Sequence, residues 1–247
     1  MIDDSWSWFD GASAGVFRGI TVEIIRDWHW RYGESKANIM LYPELAELEA
    51  NALVDRLIAC CPEGDEYVAA YYNDVAIALR AHGQTGADAL LELLSTSDEL
   101  RTASILVAFS APPRDESMIP VIREYLNDGW PRVLLSVVDG LWYLRDRDVH
   151  DQIVAFHDHP SPYVRGAVLR YVSRLFPDEA LPYLRTALRD PHFVVRESAL
   201  DEYDELDAFE AIDDIRSLLN DPHVDVRQAA RTAIENLEER RSRQQST

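Results

Sequence analysis

The run Asp190-Pro-His-Phe-Val-Val-Arg196 returns one interval later as Asp221-Pro-His-Val-Asp-Val-Arg227. A third copy, His159-Pro-Ser-Pro-Tyr-Val-Arg165, keeps the proline and the Val-Arg pair, and Pro131-Arg132 and Leu100-Arg101 continue the series towards the N-terminus. Arg101, Arg132, Arg165, Arg196 and Arg227 therefore stand 31, 33, 31 and 31 residues apart. A fixed period of this length marks stacked supersecondary units.

Counted from each arginine, apolar residues recur at −1, +3, +7 and +10: Val164, Val168, Val172 and Leu175; Val195, Ala199, Tyr203 and Leu206; Val226, Ala230, Ile234 and Leu237. This spacing is one face of a helix. Pro160, Pro191 and Pro222 are expected just ahead of the helix, where a missing N–H costs nothing because the first-turn donors are unpaired anyway. Asp190 and Asp221 are expected to accept free N–H groups there. A further helix is expected upstream in each unit, over Glu116–Asn127, Asp148–His157, Asp178–Arg189 and Ala208–Asn220. No period-two alternation competes, so the chain reads as all-α. One helix pair cannot bury its stripe alone, whereas stacked pairs share a continuous core. In such a stack each arginine can reach the aspartate of the neighbouring unit, giving a ladder of charge-assisted hydrogen bonds.

The run D-P-x-x-x-V-R-x-x-A resembles the second helix of the short HEAT repeat of phycobilisome-lyase type, over roughly residues 84–240. The resemblance implies a right-handed α-α superhelix of about five to six helix pairs. The ankyrin T-P-L-H and tetratricopeptide W-x₂-L-G signatures are absent. His159 stands where the ladder wants an aspartate.

The N-terminal third lacks the motif. Tyr42–Cys61 and Asp65–Ala81 read as a degenerate helix pair, and residues 1–33 hold Trp6, Trp8, Trp28 and Trp30. Three regions are expected: an aromatic-rich helical cap over 1–64, HEAT-like repeats over 65–240, and a frayed polar tail over 241–247. The tryptophans either close the open end of the stack or offer a partner an aromatic hot spot.

Composition narrows function. Of the 247 residues 44 are acidic and 24 basic, for a formal charge of −20, yet 47% are hydrophobic, enough to bury a core. A surplus of negative charge repels phosphate backbones and anionic membranes, so neither nucleic acid nor membrane is an expected partner. Apolar stretches such as Ile105–Phe109 are too short to span a bilayer. The acidic start MIDDSWSWFD is unlike a signal peptide, and a cytoplasmic location is expected.

Each hint of chemistry has a plainer explanation. Gly11-Ala-Ser-Ala-Gly15 matches the G-x-S-x-G hydrolase elbow, but that elbow needs a strand to deliver Ser13 to a sharp turn above a sheet. His157-Asp-His159 and His150-Asp151 lack a third ligand, and two histidines at i, i+2 on a helix do not share a face. Deoxyhypusine hydroxylase is a HEAT-like metalloenzyme whose iron ligands are His-Glu dipeptides, and this sequence has none. His192 and His223 recur with the repeat and belong to the scaffold. Cys60-Cys61 is expected to pack one thiol and expose the other. DNA glycosylases of HEAT-like build bind through a basic concave face that is missing here. No residue points to bilin handling. No catalytic residue, metal or cofactor is therefore expected.

What remains is charge. Residues 197–214 carry nine acids and no basic residue. Positions +1, +5, +8 and +9 of the second helix fall on the face that lines the groove in this family, and in the fourth unit these are Glu197, Asp201, Asp204 and Glu205. They read as four carboxylates without a local counter-charge, suited to steering a cationic partner. Glu205 can alternatively meet Arg174 of the preceding unit. The expected function is a non-catalytic protein-binding solenoid, most specifically a bacterial immunity-type protein that neutralises a basic toxin. The alternatives are a general adaptor or assembly scaffold, or a bilin-lyase-like protein.

Overall fold

The computed structural model describes residues 42–61 and 68–245, and every regular element among them is helical. The Trp-rich start and the Gly11–Gly15 segment lie outside the described residues. The chain divides into two compact units at Ser95/Thr96.

In the first unit a 3₁₀ turn, Pro43–Glu47, leads into α1 (Ala50–Ile58), α2 (Val68–Arg80) and α3 (Gln84–Leu94). The expected single helix over Tyr42–Cys61 is broken because Leu48 and Glu49 are extended. Leu53, Leu57, Val75, Leu79 and Leu90 form the core. The Tyr42 amide donates to Asp74 Oδ2 at 3.0 Å, and the Tyr72 hydroxyl donates to the Ala59 carbonyl at 2.7 Å. The α2–α3 corner turns through Gly83, at φ +68°. Gly86 then lies against the α2 backbone, where an added Cβ would sit 1.8 Å from the Leu79 carbonyl oxygen.

The second unit holds α4 (Glu99–Ser110), α5 (Ile119–Arg123), α6 (Pro131–Tyr143), α7 (His150–Val154), α8 (Pro162–Leu175), α9 (Pro177–Ala187), α10 (Phe193–Glu205), α11 (Ile212–Arg216) and α12 (Val224–Gln245). The arginine-bearing helices α4, α6, α8, α10 and α12 pack in succession, and α5, α7, α9 and α11 lie against the second helix of their own unit. Val164, Val168, Val172, Val195, Ala199, Tyr203, Val226, Ala230 and Leu237 are buried as the face pattern requires. Leu206 and Ile234 are half-buried.

The upstream helices are shorter than expected. Glu116–Met118, Ala155–Asp158, Phe209–Ala211 and Ser217–Asn220 are 3₁₀ turns flanking α5, α7 and α11, and α9 comes nearest to its expected span. The tighter winding satisfies the last carbonyls before each turn: the His159 and Asp221 amides donate to Phe156 and Leu218 three residues back.

Pro191 and Pro222 also lie ahead of their helices, which start at Phe193 and Val224, and in the third unit Pro162 rather than Pro160 occupies the first turn. The aspartates close a local turn instead, Asp190 and Asp221 each accepting the N–H two residues on, from His192 and His223, at 2.8 Å. His159 does the same with Nδ1, from Ser161 at 3.1 Å. The imidazole thus replaces the aspartate as a turn former but brings no carboxylate.

The ladder is built at two rungs, while Arg101 pairs with Asp98 of its own unit. Arg165 Nε and Nη2 meet both Asp190 oxygens at 2.9 and 2.7 Å, and Arg196 holds Asp221 in the same fork at 2.8 Å twice. Each Nη1 turns back onto carbonyls of its own turn, at His159 and Pro160 or at Asp190 and Pro191. Burial alone would raise the Asp221 pKa, but the Arg196 fork and the His223 N–H outweigh it and hold the carboxyl below its usual range. Beside these rungs the Phe193 ring lies face to face with His223, centroids 3.6 Å apart at 11°.

Helix α12 runs to Gln245, past the point where polar composition predicts fraying. The i, i+4 pair of Arg243 with Glu239 (2.6 Å) and the Ser242 hydroxyl on the Glu238 carbonyl (2.8 Å) support its last turns.

Candidate partner-binding face

Helix α10 carries Glu197, Asp201, Glu202, Asp204 and Glu205 between its two apolar contacts. The expected four carboxylates share this helix but not one environment. Glu197 and Asp201 are half-buried next to one another, and Arg170 of α8 faces Asp201. Arg170 is itself held by Asp139 of α6, through Nε at 2.9 Å and Nη2 at 3.2 Å. Glu205 receives Arg174 Nη1 at 3.0 Å, the inter-unit pair that the repeat arithmetic allowed. Asp204 accepts from Asn236 Nδ2 at 2.8 Å and pairs with Arg240, both from α12. Arg240 Nε also reaches Asp207 at 2.5 Å.

The expectation of four carboxylates without a local counter-charge therefore needs correction. Asp204 and Glu205 are neutralised from the neighbouring units, because superposed repeats put residues about one period apart in contact. Asp201, Glu202, Asp204 and Glu205 are met by Arg170, Arg174 and Arg240, which also serve Asp139 and Asp207. The face stays negative.

One residue escaped the sequence pattern. Glu202 sits at +6, where the third unit has Tyr171, and its side chain is 1% exposed. Oε2 accepts from Arg174 Nε at 3.2 Å, while Oε1 is buried without a hydrogen-bond partner. Burial raises Glu202 to about 6; Arg174 and Arg170 pull the other way, and Glu205 adds to the rise. Burial likewise lifts Asp201 well above the carboxylate range, helped by Glu197 and Glu202 and opposed by Arg170. Arg174 lies 5.9 Å from the Trp142 ring centroid, a position for cation–π contact that fixes it between α6 and α10.

The arrangement stores charge and holds no nucleophile–base pair. Among the described residues no three His, Cys, Asp or Glu side chains converge to hold a metal ion, and no helix is long and apolar enough to cross a membrane. His157 Nδ1 lies 3.1 Å from the Val154 carbonyl, and His159 serves its own turn. Cys60 is exposed and Cys61 half-buried, both as free thiols.

Residues 119–204 match the family model of HEAT repeats. Among solved structures, the Escherichia coli protein YibA is similar, with a TM-score of 0.63 at 16% identity over 84% of this chain and 80% of that one. An engineered protein is similar with a TM-score of 0.50 at 16% identity, over 77% of this chain and 96% of its own. At such identity the likeness is one of fold. No curated protein matches the chain in sequence. Period, paired helices and arginine ladder agree with the family model, and residues 119–204 have the build of HEAT repeats.

Proposed function

We propose that this chain is a non-catalytic, cytoplasmic binding protein of bacterial immunity type that neutralises a basic toxin by direct contact through the α10 face. One observation carries the reading: α10 places Glu197, Asp201, Asp204 and Glu205 within nine residues, and Arg170, Arg174 and Arg240, which meet the last three, also serve Asp139, Glu202 and Asp207. A field of this sign draws in cationic proteins and speeds their encounter, and repels nucleic acid and anionic lipid. A HEAT-type scaffold suits the task because its face residues change without disturbing the buried spine.

Asp204 ties α10 to Arg240, so the test leaves it intact. The variant Glu197→Gln/Asp201→Asn/Glu205→Gln keeps side-chain shape and replaces three carboxyl groups by neutral amides. Affinity capture from a lysate of the native organism at low salt should recover a basic toxin domain on the wild type. The triple variant should lose it, as should the wild type at about 0.5 M salt, where screening is nearly complete within a few ångströms. Capture of neutral or acidic proteins alone, or equal capture of the toxin by the variant, refutes the proposal.

A further inference from the structure

Arg165, Arg196 and Arg227 hold equivalent places, and the first two use the guanidinium in two directions, Nη1 backwards onto carbonyls and the Nε–Nη2 edge forwards onto the next aspartate. Arg227 repeats the backward half, with Nη1 donating to the Asp221 and Pro222 carbonyls at 2.7 and 3.0 Å. Among the described residues no carboxylate meets its forward edge. The guanidinium is thus held in the rung geometry with the fork open.

A second contact is open beside it. Phe193 lies against His223 of the following turn, and its counterpart one unit on is Val224, 61% exposed. The rest of the end face is different. Where α8 and α10 bury Leu169 and Leu200 against the next helix, α12 has Arg231, which is exposed. The helix body is therefore closed to apolar helix packing, while its first turn keeps the fork and an apolar seat. Arg227 and Arg231 place two guanidinium groups at this corner, beside Asp225, in a chain of net charge −20.

We propose that Arg227 and Val224 form a docking point for an aspartate-bearing turn of a partner protein, with the Asp-Pro-ring chemistry that Asp190-Pro-His192 and Asp221-Pro-His223 already present to the preceding units. The carboxylate takes the Nε–Nη2 fork, which matches it bidentately, and the ring covers Val224. This site is distinct from the acidic α10 face and selects a partner of opposite charge.

The test uses the intact chain, labelled for NMR, and the synthetic peptide Leu-Arg-Asp-Pro-His-Phe-Val-Val as probe. The Arg227 Nε–Hε signal and the Val224 methyls should shift saturably, while those of Arg165 and Arg196, already occupied, stay still. The peptide with Asn for Asp should bind at least about tenfold more weakly, because it loses the charged half of the fork. Arg227→Lys, which keeps the charge without the fork, should bind less well at unchanged helicity. No saturable shift at Arg227, or an equal response to the Asn peptide, overturns the proposal. So does a concentration-dependent shift without peptide accompanied by a doubled sedimenting mass, which assigns the corner to a second copy.

Discussion

Glu202→Gln tests how the α8–α10 seam handles its buried charge. Glu202 is 1% exposed, with one oxygen on Arg174 and the other without a partner, and its pKa rises from 4.5 to about 6. That rise corresponds to about 2 kcal/mol between the protonated and ionised forms. Because the folded-state value is the higher one, protonated Glu202 favours the fold. Its contribution is complete below the unfolded value of 4.5 and is lost as pH climbs through about 6. The wild type should therefore lose about 2 kcal/mol at this site between about pH 4.5 and about pH 7.5, and the glutamine variant should not. Asp201, also raised, is coupled to Glu202, so the difference between the two proteins includes the loss of that coupling. Urea unfolding followed by far-UV circular dichroism, run on both proteins across this range, gives the double difference and cancels the titrations not coupled to Glu202. A stability gap between wild type and variant that stays constant with pH, or moves in the variant's disfavour as pH rises, refutes the reasoning.

Other parts of the molecule give equally definite expectations. Asp221→Asn strips the Arg196 fork of its charge in a nearly closed site and should destabilise by about 3 kcal/mol in urea melts. Because the Asp221 pKa is lowered in the fold, that gap should be present above about pH 4 and close as pH falls through the folded value. Gly86→Ala should cost roughly 2 kcal/mol or more despite the better helix former, since its Cβ meets the Leu79 carbonyl; Gly129→Ala, with open space around it, should change little in the same melts. Arg240→Ala should speed amide exchange over 238–245, where Arg240 ties the end of α12 to Asp204 and Asp207, while the global midpoint moves by less than about 1 kcal/mol.

The second helices were legible because two signals coincide in them, the arginine period and an apolar face that the structure buries. The first helices carry no such motif, and their ends wind into 3₁₀ turns to satisfy carbonyls before tight corners, which apolar spacing does not encode. The prolines stand ahead of their helices as read, but Asp190 and Asp221 close turns with the N–H two residues on, before the helices begin.

At the site, the location of the carboxylates could be read, but their partners lie a whole unit away. Arg174–Glu205 and Arg170–Asp139 are 31 residues apart, the period itself; the first pair was open to the sequence, and aligning the units before projecting any one helix adds the second. Glu202 offered no warning. It occupies the place of a tyrosine, and only packing shows that water cannot reach it.

The ladder's uneven rung has a mechanical consequence. Clamps of arginine on carboxylate hold α8 to the turn before α10, and α10 to the turn before α12, so these segments should bend together under load. At the joint entering α8 the equivalent position is His159, an imidazole that burial keeps uncharged to lower pH than usual. A stack built this way resembles a hinge strip with one softer leaf. Thermal opening of the corners should start at the His159 turn, while the Arg170–Asp139 fork still holds α8 to α6 and the rungs on the C-terminal side stay closed.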